Sequence, residues 1–233
     1  MDLVRLNKYL SNQGIASRRE ADRFIADGLI SVNGEVVTEM GVKIDPEKDK
    51  VTINDQVVKR QENLVYIALH KPAGYVTSVK RTRVERHIIM DLINIEERVY
   101  PVGRLDKDTT GLLILTNDGT LTFKLTHPSA ECPKEYEVTV KGFINKEQIL
   151  KLEKGVRLWG AKTKTTHVNK VGPSKMRIIL REGKNRQIRR ICQKVGLPVK
   201  QLKRIRVKKL RLGTLPMGQW RYLKKEEVEM LKS

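Results

Sequence analysis

The residues best suited to chemistry lie in Gly103–Gly119, where charged and hydroxylated residues precede an apolar run. Leu112–Leu115 is unbroken and apolar, as is typical of a buried strand, and Asn117–Gly119 after it predicts a turn. We therefore expect Asp106 on a loop at the mouth of a buried strand, where catalytic groups are common. Alternatively, Asp106 and Asp108 are ordinary loop aspartates that accept backbone N–H groups, and spacing alone favours this interpretation.

A second candidate segment is an amphipathic helix that ends near Gly196. Its apolar stripe consists of Ile188, Ile191, Cys192 and Val195. Arg189 lies about 100° round the helix from Ile188 and can turn inward. Arg186 and Arg190 point further into solvent, which predicts contacts with phosphate groups. From the residues alone, Arg189 could equally be one more backbone contact in a basic cluster.

The formal net charge of +20 implies a polyanionic partner. Residues 1–60 hold ten basic and ten acidic residues, so the later part of the chain carries the whole excess. Lys175–Arg211 contains fifteen basic residues and one acidic residue, Glu182. Because a solvated face usually mixes both signs, this ratio predicts a phosphate-binding surface.

Four motifs resemble those of the RsuA-type pseudouridine synthases and follow the family's order. They are Gly103-Arg104-Leu105-Asp106, Lys134–Val138, Glu182–Arg190 and Pro216–Arg221. With the N-terminal module they cover nearly the whole chain. Val4–Tyr9 and the unbroken Asn185–Arg190 are most similar to the RluF-type ribosomal RNA enzymes.

The resemblance implies an isomerase that breaks the N1–C1′ bond of a uridine, turns the uracil and rejoins it through C5. It implies that Asp106 is the catalytic carboxylate, that Arg189 keeps it ionised, and that Tyr136 stacks on the uracil and helps to move a proton. Periodicity alone would make Tyr136 a core residue of a strand. Asp106 could attack C1′, attack the base or trigger proton loss from C2′.

The resemblance also implies an RNA partner, with ribosomal RNA of the large subunit as the first expected target and a tRNA anticodon loop as a second. Leu202 is predicted to form the apolar floor of the base pocket. The predicted RNA contacts in this region are Arg104, Arg186, Arg190, Lys203 and Arg204. No cofactor and no metal are expected, since the four histidines are scattered and no nucleotide-binding glycine loop occurs.

The first 60 residues are predicted to form a small S4-like RNA-binding module. Leu3, Leu6 and Leu10 have helical spacing, and a capping box, Ser17–Glu20, begins a second helix. Asn33-Gly34 predicts a type I′ hairpin. Arginines on the second helix that could meet phosphates, or merely solvate it, are Arg18, Arg19 and Arg23.

Residues 61–233 are predicted to form the catalytic domain, after a short linker at Gln61–Asn63. Strands outnumber helices without regular alternation, so the fold class is α+β, with a mixed and mainly antiparallel sheet. Val79–Arg86 is expected to be an exposed loop, and Arg204–Leu212 a single strand.

Two cysteines and no evident signal peptide are consistent with a reducing, cytoplasmic location. Two other functions compete with the isomerase. A non-catalytic S4-type RNA-binding protein would not need a carboxylate beside a basic groove. A glycosidase would need a second, suitably placed acid.

Overall fold

The computed structural model describes residues 3–58, 63–158, 160–164 and 167–233. The chain packs as two units. The first comprises Met1–Val65 with two later segments, Glu96–Arg98 and Asn117–Gly119, and the second comprises the rest. Arg98 belongs to the first unit by contact, because its Nη1 donates to the Ala16 carbonyl at 2.9 Å. This division falls after Val65 rather than near residue 60, and the predicted linker residues Gln61 and Glu62 lie outside the described residues.

The first unit contains two helices and two small antiparallel sheets. The helices are α1 (Leu6–Asn12) and α2 (Arg18–Ala26). The strands are β1 (Val4–Arg5), β2 (Ile30–Val32), β3 (Glu35–Val36), β4 (Lys43–Ile44), β5 (Val51–Ile53) and β6 (Gln56–Val57). The predicted capping box is confirmed, since Glu20 N donates to Ser17 Oγ and Ser17 N donates to Glu20 Oε2.

Two details of this unit differ from the sequence expectation. Leu3 is 60% exposed and lies outside the helix, because Val4 and Arg5 are extended and pair with Ile44 and Lys43. The buried face of α1 is formed by Leu6, Tyr9 and Leu10. The strands after Val37 have only two or three residues each, which is too short for a clear alternation of apolar and polar residues in the sequence.

The second unit is built on a nine-stranded sheet in the order β13-β14-β10-β15-β9-β7-β17, with β16 paired to β15 and β8 to β9. Its strands are β7 (Tyr66–Lys71), β8 (Tyr100–Pro101), β9 (Thr110–Thr116), β10 (Lys134–Val140), β13 (His167–Gly172), β14 (Lys175–Leu180), β15 (Val199–Val207), β16 (Leu210–Arg211) and β17 (Trp220–Tyr222). A separate hairpin consists of β11 (Arg157–Leu158) and β12 (Ala161–Lys162). Among the strands of the described residues, all pairs are antiparallel except β9 with β15, which confirms the predicted fold class.

Four helices pack with these strands. They are α3 (Gly119–Thr126), α4 (Lys146–Lys154), α5 (Gln187–Lys194) and α6 (Lys225–Lys232), and short 3₁₀ turns occur at Ile89–Leu92 and Pro128–Ala130. The stripe of α5 is buried as predicted, against a core that includes Val138 and Ile178. In the described chain, no helix is long and apolar enough to cross a bilayer.

Two expected elements have different bounds. Arg204–Leu212 is not one strand, because the chain reverses at Lys208, whose φ is +48°, and returns as β16. The turn predicted at Asn117–Gly119 leads directly into α3, which starts at Gly119. Val79–Arg86 is an irregular, mainly exposed loop, as predicted.

Gly111 lies where β9 and β15 approach each other most closely. It pairs with Arg204 in the parallel register and has a φ of +111°. A Cβ atom at this position would lie 2.5 Å from the Arg204 nitrogen and nearer still to its carbonyl oxygen. Only glycine fits here without moving a strand.

Candidate active site

Asp106 opens onto a pocket of about 320 Å³ in the second unit. The pocket lies between the Asp106 loop, β10, β15 and the segment before α5. Its walls are formed by Arg104, Leu105, Asp106, Thr109, Tyr136, Leu180, Glu182, Gly183, Lys184, Asn185, Arg186, Gln187, Ile188 and Leu202. The fold therefore brings together five predicted site residues from four separate segments of the sequence: Arg104, Asp106, Tyr136, Arg186 and Leu202.

Tyr136 and Leu202 form the apolar part of this pocket. Tyr136 is half-buried on β10, and its ring packs against the core cluster that contains Val138 and Ile178. Leu202 on β15 is 6% exposed. Such a surface can receive the face of a planar base.

The Asp106 carboxylate lies near Arg186, whose Nη1 is 3.9 Å from Asp106 Oδ2. The expected Arg189–Asp106 pair is wrong. Arg189 Nη2 lies 3.1 Å from Asp108 Oδ2 and also donates to the Asp108 backbone carbonyl. Arg189 is turned inward as predicted, with its side chain 14% exposed. The inward-turned side chain of Arg189 therefore contacts Asp108, two residues after Asp106 on the loop.

Asp108 forms ion pairs with two arginines, Arg186 and Arg189. Arg186 binds it in a bidentate manner, with Nη1–Oδ1 and Nη2–Oδ2 distances of 3.1 Å. Partial burial opposes ionisation of Asp108, but the hydrogen bonds from Arg186 and the charge of Arg189 hold its pKa below the ordinary value. Asp108 is thus a carboxylate that ties α5 to the loop that carries Asp106.

Arg186 has an unusual backbone conformation. It is the residue before α5 and has a φ of +49°, in the left-handed region that costs a non-glycine residue about 1 kcal/mol or more. The preceding segment is held by Gln187, which is 3% exposed. Gln187 Nε2 donates to Glu182 Oε1 at 2.5 Å, and Gln187 Oε1 accepts from Lys184 N at 3.2 Å. This clasp shapes one wall of the pocket.

Lys71 holds the loop that carries Asp106 through hydrogen bonds to its backbone, a role that sequence reasoning missed. It is the last residue of β7, and none of its surface is exposed. Its Nζ donates to the carbonyls of Pro72, Asp106, Lys107 and Thr109, at 2.9, 3.1, 3.3 and 2.9 Å. Burial lowers the pKa of Lys71 to about 8, against the opposing charges of Asp108 and Asp106. The available signal was a lysine that directly precedes Pro72 and follows the apolar run Ile67–Leu69 after one intervening residue, His70.

The segment after Lys71 holds the same loop on its other side. Thr77 Oγ1 donates to the Leu105 carbonyl at 2.7 Å and accepts from Leu105 N at 3.2 Å. Gly74 N donates to the Lys107 carbonyl at 2.8 Å. The residues on both sides of Asp106 are therefore fixed through their backbone, which orients the Asp106 carboxylate toward the pocket.

Comparison with known proteins matches this chain to two family models. Residues 65–194 match the family model described as RNA pseudouridylate synthase, and residues 4–49 match the S4 domain. This chain belongs to the RNA pseudouridine synthase family.

Full-length relatives agree with this assignment. The dual-specificity RNA pseudouridine synthase RluF of Escherichia coli K12 is 44% identical over 227 residues, which cover 97% of this chain and 77% of that protein. The ribosomal large subunit pseudouridine synthase B of Bacillus subtilis is 40% identical over 99% of this chain and 96% of that protein. A crystal structure of a pseudouridylate synthase superposes with a TM-score of 0.72 at 28% identity, covering 98% of this chain and 99% of that one.

As a member of this family, the protein is an isomerase that acts on RNA, and the non-catalytic alternative is set aside. Among the described residues of this synthase, no group of His, Cys, Asp and Glu is suited to hold a metal ion. Cys132 and Cys192 are free thiols, and burial raises the pKa of Cys192 to about 12.

The predicted RNA contacts of the synthase fall into two classes. Arg104 and Arg190 are exposed, and Lys203 is partly exposed on β15. Arg204 is 2% exposed, and its Nε donates to the Leu112 carbonyl at 2.8 Å. The prediction of an RNA contact for Arg204 is wrong, because alternation along β15 directs this side chain to the same buried face as Leu202.

In the first unit, the three arginines of α2 are exposed. Arg18, Arg19 and Arg23 lie off the apolar face that buries Ala21 and Ile25. This exposure leaves their guanidinium groups accessible to solvent-borne ligands.

Proposed function

We propose that this synthase converts a uridine of large-subunit ribosomal RNA to pseudouridine, with Asp106 as the catalytic carboxylate. The observation that carries the proposal is the pocket that joins Asp106, Tyr136 and Leu202. The name of the Bacillus subtilis relative supports the ribosomal target. A tRNA anticodon loop is the second candidate substrate.

The reaction is a rearrangement with balanced atoms and electrons. The N1–C1′ bond breaks, a C5–C1′ bond forms, C5 loses its proton and N1 gains one. Asp106 acts at the sugar or the base as a nucleophile, or at C2′ as a base. Tyr136 faces the uracil, and its hydroxyl is placed to move a proton, while Leu202 keeps the detached base in place.

The arginines have distinct proposed roles. Arg186 Nη1 lies 3.9 Å from Asp106 Oδ2 and is proposed to orient this carboxylate, and Arg104 lies at the same pocket. Arg189 acts through Asp108 and is therefore a positioning residue. Arg190 and Lys203 are proposed to bind phosphate.

The decisive test compares two aspartates of one loop. Asp106→Asn keeps the shape of the side chain but removes the carboxylate, so we expect release of tritium from 5-³H-uridine RNA to fall to background. RNA binding, measured by gel shift, should stay within about threefold. Asp108→Asn is the matched control and should retain measurable turnover. Turnover in the Asp106 variant at the level of the Asp108 variant would refute the assignment.

The target is identified by mapping pseudouridines in total RNA from cells with and without this gene. A site in large-subunit ribosomal RNA that disappears with the gene supports the proposal. Loss of a site in tRNA alone would replace the ribosomal target. A cytoplasmic location is proposed with the ribosomal target and is tested by cell fractionation.

The first unit is proposed to select the target through Arg18, Arg19 and Arg23. The test uses the full chain, because Arg98 binds the Ala16 carbonyl and truncation would remove its partner. Changing all three arginines to alanine should weaken binding to structured RNA, while turnover of a short RNA at high concentration is retained. Loss of turnover on both RNAs would mean that the first unit belongs to the catalytic apparatus.

A further inference from the structure

A second basic groove lies beside α5, outside the catalytic pocket. It has a volume of about 760 Å³ and is formed by the β11–β12 hairpin and the outer face of the helix. Its lining consists of Arg157, Leu158, Gly160, Arg190, Gln193 and Lys194. Three of these side chains are cationic, one is an amide, and none is a carboxylate. We call this feature the hairpin groove.

A line of cations connects the hairpin groove to the catalytic pocket. Arg186 is the residue before α5, and Arg190 and Lys194 follow it at intervals of four residues, with Arg190 and Lys194 on the same side of the helix. Arg186 lines the pocket, whereas Arg190 and Lys194 line the hairpin groove. From the first to the last of these residues, the helix rises by about 12 Å.

The chemistry of the hairpin groove fits a nucleic-acid backbone. A stacked strand presents one phosphate per roughly 3.4 Å of its axis, so this line of cations covers about three phosphates. Leu158 in this lining is 7% exposed, whereas Arg157, Arg190 and Lys194 are cationic, which favours a polyanionic partner over an apolar one.

We propose that the hairpin groove binds backbone phosphates of the RNA strand adjacent to the target uridine, on one side only. The inference rests on the proposed function, because the pocket at the other end of the line must hold that uridine. The strand would leave the pocket past Arg186 and follow α5 to Arg157 and Lys194. Binding there is independent of base sequence and holds the register of the strand while the base is turned out.

The test uses the full-length double variant Arg157→Ala/Lys194→Ala. Loss of two phosphate contacts should reduce the slope of log K against log salt by about 1.4. The Kd for RNA should rise roughly 10- to 30-fold at 0.1 M salt and converge with that of the parent protein toward 1 M. KM should follow Kd, whereas kcat at saturating RNA should stay within about twofold.

The matched control is Lys124→Ala/Lys225→Ala, which removes the same charge from α3 and α6. Lys124 lies toward α6, where its Nζ donates to the Lys232 carbonyl. This control should change the Kd by less than about threefold. Equal losses in the two double variants would overturn the proposal in favour of a general electrostatic field.

Trimmed RNAs test the one-sided path. Shortening the flank on one side of the uridine should abolish the difference between parent and double variant, and shortening the other flank should preserve it. A difference that survives both truncations would overturn the proposal. Because Kd is measured without turnover, a chain that binds as described but does not isomerise would contradict the proposed function alone.

Discussion

The cations of this synthase belong to two classes that composition does not distinguish. Lys71 and Arg204 are buried and donate to backbone carbonyls, whereas Arg186 and Arg190 are exposed beside the pocket. Salt screens the exposed class and hardly affects the buried class. A net charge of +20 therefore overstates the charge that RNA meets, since part of it serves the protein's own backbone.

The largest effect is expected for Lys71→Met, which keeps the volume but leaves buried carbonyls without a donor. We expect a loss of unfolding free energy of about 3 kcal/mol or more and a fall in turnover of over 100-fold, since unsatisfied buried acceptors cost about 1–3 kcal/mol each. Urea denaturation and tritium release measure the two quantities. Lys107→Met, on the exposed side of the same loop, should stay within about 0.5 kcal/mol. Similar losses in both variants would remove the distinction between buried and exposed cations.

The pH dependence of stability sharpens this comparison. The folded-state pKa of Lys71 is about 8, against an ordinary value of 10.5. Between these two values Lys71 binds more protons in the unfolded chain than in the folded chain, so the free energy of unfolding increases as pH rises above 8. This contribution is lost as pH falls through the folded-state pKa of about 8. The difference in unfolding free energy between the parent protein and Lys71→Met should therefore grow by up to about 3 kcal/mol between pH 8 and 10. A growing difference in Tm over this pH range measures it. A constant difference would show that the lysine keeps its proton throughout.

Arg204→Met should destabilise the fold by about 1–3 kcal/mol, because the Leu112 carbonyl loses its buried donor. It should leave the salt dependence of RNA binding unchanged. Titrations of RNA at several salt concentrations, with the folded fraction checked by circular dichroism, measure this. If the variant reduces the slope of log K against log salt by about one unit, Arg204 contacts phosphate after all.

The smallest expected effects separate Arg189 from Arg190. Arg189→Ala frees one side of Asp108 and should lower kcat by about tenfold with little change in Kd. Arg190→Ala should raise Kd by a few-fold and reduce the salt slope by about one unit, with kcat unchanged. Parallel losses in kcat and Kd for both variants would contradict the separation of inward and outward arginines.

Local patterns in the sequence were sufficient to predict that Asp106 lies on a loop, that a buried strand follows it, and that α5 has a buried apolar stripe. They failed where a contact joins distant segments. Lys71 meets its carbonyls across 35 to 38 residues, and Thr77 meets Leu105 across 28. The partner of Arg189 was misassigned by two residues, because helical geometry gives the direction of a side chain but not the register of the loop opposite. Arg204 lies in a basic run of the sequence whose side chains differ in burial, so the run itself did not predict that Arg204 is buried.

Gly111 has a consequence at the level of the gene. Every single-base missense change in a glycine codon introduces a residue with a Cβ atom, and here that atom collides with the backbone of Arg204. Each such allele would push apart β9, which follows the Asp106 loop, and β15, which carries Leu202. No one-step substitution at this codon is therefore structurally neutral, and the codon should stand out as intolerant in a saturation library scored for pseudouridine in cellular RNA.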